Sequence, residues 1–339
     1  MEEIRVAPDL VILSFGFSIS FLIGVVRNFF KEDMFQRITI YAVSFYLISF
    51  FTLQILFYIS KGSYFETEIG NVMILNLLTI FLGFGLMATQ GILPSLSHLA
   101  SVVLLFLISG CLFPLFYFLL QFGFFAELKV VDQGKVSYLF LVSGSMVWFF
   151  ELFLKSETDA EKDTKFYDGN FIFLLGLPLS LLVGFGNHLG SDVYPLFAKA
   201  LLCFFAVLLG MFTVHRNPEL NKGSIILALL ASINFTNVFL HTSLLIQVPL
   251  CFVLGIFLLL AAEWLDKKDW SKNGTVLLVS TLLTGFIGIF LSLLVIPDSL
   301  WPHPPLVMLG VQALYLFSVF LISIFIASCV YFFPKQSGH

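Results

Sequence analysis

Asn234, Asn237 and His241 stand at i, i+3 and i+7 in an otherwise apolar stretch, a spacing that puts two amides and an imidazole on one face of a helix. Such groups both donate and accept hydrogen bonds, so they can replace water around a small hydrogen-bonding solute passing in single file. The same three could instead bond a neighbouring helix, at roughly 0.6 kcal/mol each, and spacing does not choose between the two. Lys199 is the only charge well inside an apolar run. Its stem can carry the ammonium to an interface; pointed into a pore, it would oppose cations and favour neutral or anionic solutes. Glu151 and Glu263 stand near the ends of their stretches and no acid falls near a middle, which argues against a proton-coupled carrier with a membrane carboxylate. Ser143 has no histidine on its own stretch, and His98, the first residue of the fourth, stands at the opposite end of the spans, so an intramembrane enzyme built on a nucleophile and base is not expected. His188, His241 and His303 could gather a metal, but their spacing follows no metal motif. No metal or cofactor is predicted.

The elements that must position these groups are apolar stretches at 8–26, 37–60, 69–90, 98–122, 136–155, 170–187, 193–214, 223–244, 246–264, 274–296 and 305–333. About 20 apolar residues cross a bilayer as a helix, the one open-ended structure that pairs its own backbone groups in lipid. Composition agrees: 59% hydrophobic residues, 11% charged and 43 phenylalanines in 339 residues, with mean hydropathy +1.01. A soluble domain carries about 25% charge. The sequence predicts an all-α, polytopic membrane protein of eleven transmembrane helices in a single domain spanning 1–339, with the lipid bilayer as its first partner. Nothing resembles a nucleotide-binding loop, and there is no basic arm for nucleic acid.

Twelve Lys and Arg fall on one side of these spans, against Arg5, Lys61, Lys129 and Lys135 on the other. Because cytoplasmic loops hold the excess, the N-terminus is predicted outside and the C-terminus cytoplasmic, in the plasma (inner) membrane. The acidic start, MEEIRVAPD, is unlike a cleaved leader, so the first span is expected to be retained. Cys111, Cys203, Cys251 and Cys329 all lie inside spans, and no disulfide is expected. Trp264, Trp270 and Trp301 stand at span ends, as interface anchors do.

The fifth and tenth spans open alike. DQGKVSYLFLVS begins at Asp132 and DWSKNGTVLLVS at Asp269, 137 residues on, with Asp, Lys, Leu, Val and Ser at matching offsets. An offset of five spans inverts orientation, which suggests a five-plus-five inverted repeat, with halves at approximately 8–155 and 170–296 and an appended helix at 305–333. The alternative is that both are ordinary helix starts, with Asp132 as a structural cap.

Several short patches carry a family resemblance. They are GVVRN at the end of the first span (Gly24 to Asn28), Gln90 closing the third, and Asp132, Ser143 and Gly144 at the fifth. Asn187 with Gly190-Ser191 follows the sixth, LLTGF (Leu282 to Phe286) lies in the tenth, and LGVQ (Leu309 to Gln312) opens the eleventh. With the span order and the repeat, these patches make the chain resemble the ammonium transporter and Rhesus glycoprotein channels. The resemblance implies eleven spans, an outside N-terminus, an oblique last helix, a homotrimer, and passage of ammonium, ammonia or another small polar solute through each subunit.

The departures bear on mechanism. The family's pore holds one histidine on the fifth helix and one on the tenth. The first position falls on Phe140; the second falls on Asn273 or Leu277, depending on whether LLTG or the repeat sets the register. No histidine occurs between His98 and His188 or between His241 and His303, so neither helix has one. The family's outer pair of phenylalanines corresponds to Leu93 and Asn187, a possible gate here. The sequence therefore suggests a channel without twin-histidine chemistry, lined by Phe140, Asn234, Asn237, His241, Asn273 and Leu277. The alternative is a pore-dead relative acting as a membrane sensor or assembly subunit.

Overall fold

The computed structural model describes residues 51–56, 58–60, 62, 103–104, 106–132, 137–154, 193–214, 228, 231–232, 234–236, 242–267, 282–295 and 302–331. Every regular element among them is helical. In chain order these are α1 (Phe51–Ser60), a π-helical segment Phe106–Leu112 running into α2 (Phe113–Gln121), the short α3 (Phe124–Glu127), α4 (Ser137–Leu154), α5 (Val193–Val214), α6 (Leu244–Asp266), α7 (Thr284–Val295) and α8 (Pro305–Tyr331). Each lies in or beside one of the apolar stretches. Among the described residues, three runs are long and apolar enough to cross a membrane: Gly110–Glu127, Leu244–Leu265 and Pro305–Tyr331. The 27 residues of α8 extend about 40 Å at 1.5 Å per residue. That exceeds a hydrocarbon core of about 30 Å, so the helix crosses at a tilt or overshoots the core.

One boundary differs from the sequence expectation. The eighth stretch was drawn through residue 244 and the ninth from 246, but Thr242 and Ser243 are non-helical and Leu244 already opens α6. Ser243 is extended, and its carbonyl accepts from the Ile246 and Gln247 N–H groups. The sequence break falls at residue 245, just past this turn, because two small hydroxyl residues barely lower a window average. Pro249 sits inside α6 and lacks the N–H that would bond the Leu245 carbonyl, on a residue 88% exposed.

Packing sorts the faces. On α5, Leu201, Phe205, Leu209 and Phe212 point outward while Cys203, Val207 and Met211 are buried. The outward set repeats at helical spacing, and an apolar ridge of this kind suits lipid rather than water. The inward face meets α6 at backbone level. A Cβ on Gly210 would lie 2.1 Å from the Phe252 carbonyl oxygen, and one on Gly255 would lie 2.2 Å from that of Val207. Small residues permit this approach, the usual way apolar helices gain contact in a membrane.

The α4–α8 seam is made by rings and hydroxyls. The Ser137 and Tyr315 hydroxyls are 3.2 Å apart, Trp148 meets Phe320 at 5.6 Å, and Phe149 meets Tyr331 edge-on at 6.2 Å. Partner numbers rise together along both helices, so α4 and α8 run parallel. The α5–α6 partners Lys199–Thr242 and Val207–Gly255 rise together too, with Gly210–Phe252 crossing back where the helices are tightest. Parallel neighbours need an odd number of crossings between them, the parity that the fifth and eleventh and the seventh and ninth spans have in the sequence reading.

Candidate functional site

Hydroxyls inside the spans largely satisfy themselves. Ser145 donates to the Leu141 carbonyl, Thr236 to Ser232 and Ser323 to Val319, each one turn back in its own helix. Amides cannot do this as readily, and among the described residues Asn234, Gln247 and Gln312 are fully buried.

Asn234 lies where the fifth, eighth and tenth spans meet. Its Nδ2 donates to the Thr284 Oγ1 at 2.9 Å, while its Oδ1 is buried and makes no hydrogen bond. Gly285, next to Thr284, faces the fifth span so closely that a Cβ there would lie 2.9 Å from the Leu141 Cδ2 and 4.0 Å from the Asn234 amide nitrogen. Two π-helical residues, Leu282 and Leu283, precede Thr284; such wide turns offset the side chains that follow. The junction thus combines one open acceptor, one hydroxyl and an apolar wall. It can accept a hydrogen bond from a small N–H or O–H donor, and among the described residues it holds no acid or base for proton transfer.

A second polar track joins the seventh, eighth and ninth spans. The Lys199 ammonium donates to the Thr242 carbonyl at 2.7 Å, anchoring α5 to the turn before α6. One turn along, the buried Cys203 and Cys251 adjoin across the two helices, with Thr236 near Cys203. Gln247 stands one turn before Cys251 on the same face, and neither atom of its amide is hydrogen-bonded. Since a hydrogen bond from a charged group contributes about 1.5–3 kcal/mol and Lys199 is half-buried, Lys199→Met, which keeps most of the stem, is expected to cost about 1–2 kcal/mol. Thermal unfolding in detergent checks this; wild-type stability would show that the bond contributes nothing.

The third cluster fixes the start of the fifth span. After α3 the chain turns at Lys129, φ 54°, with the Lys129 N–H bonded to the Ala126 carbonyl and the Val130 N–H to that of Phe125, a left-handed helix stop. This delivers Asp132, whose Oδ2 accepts from the Ser137 backbone N–H at 3.1 Å and from the Ser137 hydroxyl. From α8, Gln312 Nε2 donates to the Val131 carbonyl at 2.7 Å, and the Tyr315 ring stands edge-on to Phe125 at 5.1 Å. The cluster is architectural: it docks α8 on the turn before α4.

Of the residues singled out from sequence, Phe140 is fully buried on α4, Asn234 is at the three-span junction, Asp132 bonds Ser137, and Lys199 reaches Thr242. Asn237, His241, Asn273, Leu277, Leu93 and Asn187 lie outside the described residues, as does the second copy of the DQGK-type repeat. Sequence reasoning did not single out Thr284, Gln247, or Cys203 with Cys251 as a pair. Gln247 carried a signal, an amide within an apolar stretch; Thr284 was read only as part of LLTGF.

No protein-family model and no curated protein matches the sequence. Solved structures do match its fold. A sensor Amt protein aligns over 97% of this chain and 92% of its own, with TM-score 0.69 and 13% identity. A mutant of Candida albicans Mep2 aligns over 96% and 85%, with TM-score 0.67 and 12% identity. Nitrosomonas europaea Rh50, of the Rhesus protein family of channels, aligns over 98% and 91%, with TM-score 0.61 and 12% identity. These neighbours are ammonium transporter and Rhesus family proteins, and the chain has their fold along nearly its whole length.

Proposed function

We propose that the chain is a membrane channel for passive passage of ammonium, ammonia or another small polar solute, with eleven spans in a five-plus-five inverted repeat plus a last helix, assembled as a homotrimer with its N-terminus outside. The observation that carries this reading is Asn234. A fully buried amide oxygen without a partner costs free energy, and a solute bearing N–H donors would offset that cost in transit. The amide lies between the fifth and tenth spans, the two helices that carry the pore histidines in the family this chain resembles. Asn234 and Thr284 are neutral at physiological pH, so passage here depends on hydrogen-bond exchange and not on a histidine relay. Asn237, His241, Asn273 and Leu277 complete the proposed lining, and Leu93 and Asn187 the proposed gate.

A second reading, a sensor without conduction, is favoured by the close contact of Leu141 with Gly285 and by the complete burial of Phe140. Both make the junction tight. The first structural neighbour described above is itself a sensor Amt protein.

Stopped-flow measurement of internal pH in proteoliposomes, challenged with an ammonium gradient, separates the two. The channel reading expects alkalinisation faster than in empty liposomes, and expects Asn234→Leu, similar in volume but without the acceptor, to bring the rate back to theirs. Wild-type protein no faster than empty liposomes would discard ammonia conduction. Ammonium raising the thermal midpoint of that same non-conducting protein would then identify a sensor.

A further inference from the structure

Cys203 and Cys251 are fully buried, unbridged and brought together by two different helices. One turn further along both, a Cβ on Gly255 would meet the Val207 backbone, so the backbones that carry the two cysteines are held by the tightest part of the α5–α6 crossing. The two cysteines adjoin across the helix pair. Lys199, one turn before Cys203 on the same face, lies within electrostatic range of both. Gln247, one turn before Cys251, is fully buried with neither amide atom hydrogen-bonded. None of these groups takes part in the Asn234–Thr284 junction.

We propose that Cys203 and Cys251 form a two-coordinate site for a soft monovalent metal ion of the cuprous class, held between α5 and α6. Thiolate sulfur is the ligand type that selects cuprous ion, whereas magnesium, calcium and manganese require oxygen ligands. Zinc needs about four ligands, and no group of three or more His, Cys, Asp or Glu side chains able to hold a metal occurs among the described residues. On binding, each thiol gives its proton to solvent and two sulfur–metal bonds form, with no electron transferred. Charge balances as well. Two thiolates and one monovalent cation leave a single negative charge, which the Lys199 ammonium cancels, and a buried site with no net charge escapes most of the penalty for placing ions in a low-dielectric interior. The unpartnered Gln247 amide supplies a polar contact at the end of the site nearer Lys199.

The test uses full-length protein in detergent under argon, with Cys111 and Cys329 replaced by serine so that only the paired thiols can respond. Cuprous ion is supplied against a competing colorimetric chelator. The expected result is one ion bound per chain, a sulfur-to-metal charge-transfer band in the ultraviolet, and a raised thermal midpoint. Cys203→Ser and Cys251→Ser should each abolish all three, and Lys199→Met should weaken binding about tenfold, as loss of an outer-sphere partner does. Binding that survives either serine variant, or no chain-stoichiometric binding in the parent, overturns the proposal. A second measurement does not depend on variants folding: pulse alkylation of the wild-type chain, mapped by peptide mass. Cuprous ion should slow modification of Cys203 and Cys251 together; protection of one alone, or of neither, overturns the two-thiol site.

Discussion

Gly255→Ala is expected to destabilise the protein by about 3 kcal/mol, the upper part of the range for overpacking a tight interior, and Gly255→Val by more. The added Cβ would sit 2.2 Å from the Val207 carbonyl oxygen and 3.0 Å from that residue's Cα. Ordinary carbon–oxygen contact needs roughly 1 Å more than this, and the obstacle is helical backbone, which cannot rotate aside as a side chain would. α5 and α6 must therefore move apart along their length, opening the Cys203–Cys251 contact and lengthening the Lys199–Thr242 bond. Gly210 makes the reciprocal approach to Phe252, so relief cannot come from sliding one helix along the other. Gly310→Ala in α8 supplies the control. That glycine has nothing within 4 Å of a Cβ, and replacing it should leave stability unchanged or raise it slightly, since alanine is the better helix former. Thermal unfolding of the three variants in one detergent decides the matter. Equal midpoints for Gly255→Ala and Gly310→Ala would mean that the α5–α6 crossing does not bear on stability.

The contrast between these glycines shows what the sequence discloses and what it hides. Apolar length reports a span because lipid acts on every residue of the stretch, and the described helices other than the short α3 fall largely within such stretches. A turn of two residues, such as Thr242-Ser243, lowers the average too little to fix its position to the residue. Gly210, Gly255 and Gly310 look alike in sequence, since each is a glycine in an apolar run. Which of them meets backbone depends on a partner 40 or more positions away. The same holds for Lys199, whose chemistry invited a choice between interface and pore; in the structure its ammonium bonds the Thr242 carbonyl, an acceptor present at every residue and therefore invisible as a motif. Asn234 was legible as a polar residue on a helical face, but not its pairing with Thr284, a hydroxyl that hydropathy reads as nearly neutral. Asp132 stood out because an acid before an apolar run has few physical uses other than bonding the N–H groups of a helix start.

Asp132→Ala is expected to cost about 3 kcal/mol or more, within the range for breaking a buried hydrogen-bonded group by removing one partner. The carboxylate is 4% exposed and receives both the Ser137 backbone N–H and the Ser137 hydroxyl. Its loss leaves the Ser137 N–H without this acceptor in a place water does not reach. The damage then passes to the last span. The Ser137 hydroxyl also meets Tyr315, and Gln312 holds the carbonyl of Val131, adjacent to Asp132, so α8 loses the geometry of the turn on which it docks. Asp132→Asn should cost less, because an amide oxygen can still accept from Ser137 although without charge. Tyr315→Phe should cost least, about 1 kcal/mol, since Ser137 keeps its acid partner and the ring keeps its contact with Phe125. The order Ala, then Asn, then Tyr315→Phe is the diagnostic, read as unfolding midpoints together with protease cleavage of the segment before α4. If Asp132→Ala were no worse than Tyr315→Phe, the acid would be a bystander, and the docking of the eleventh span would rest on Gln312 and ring packing alone.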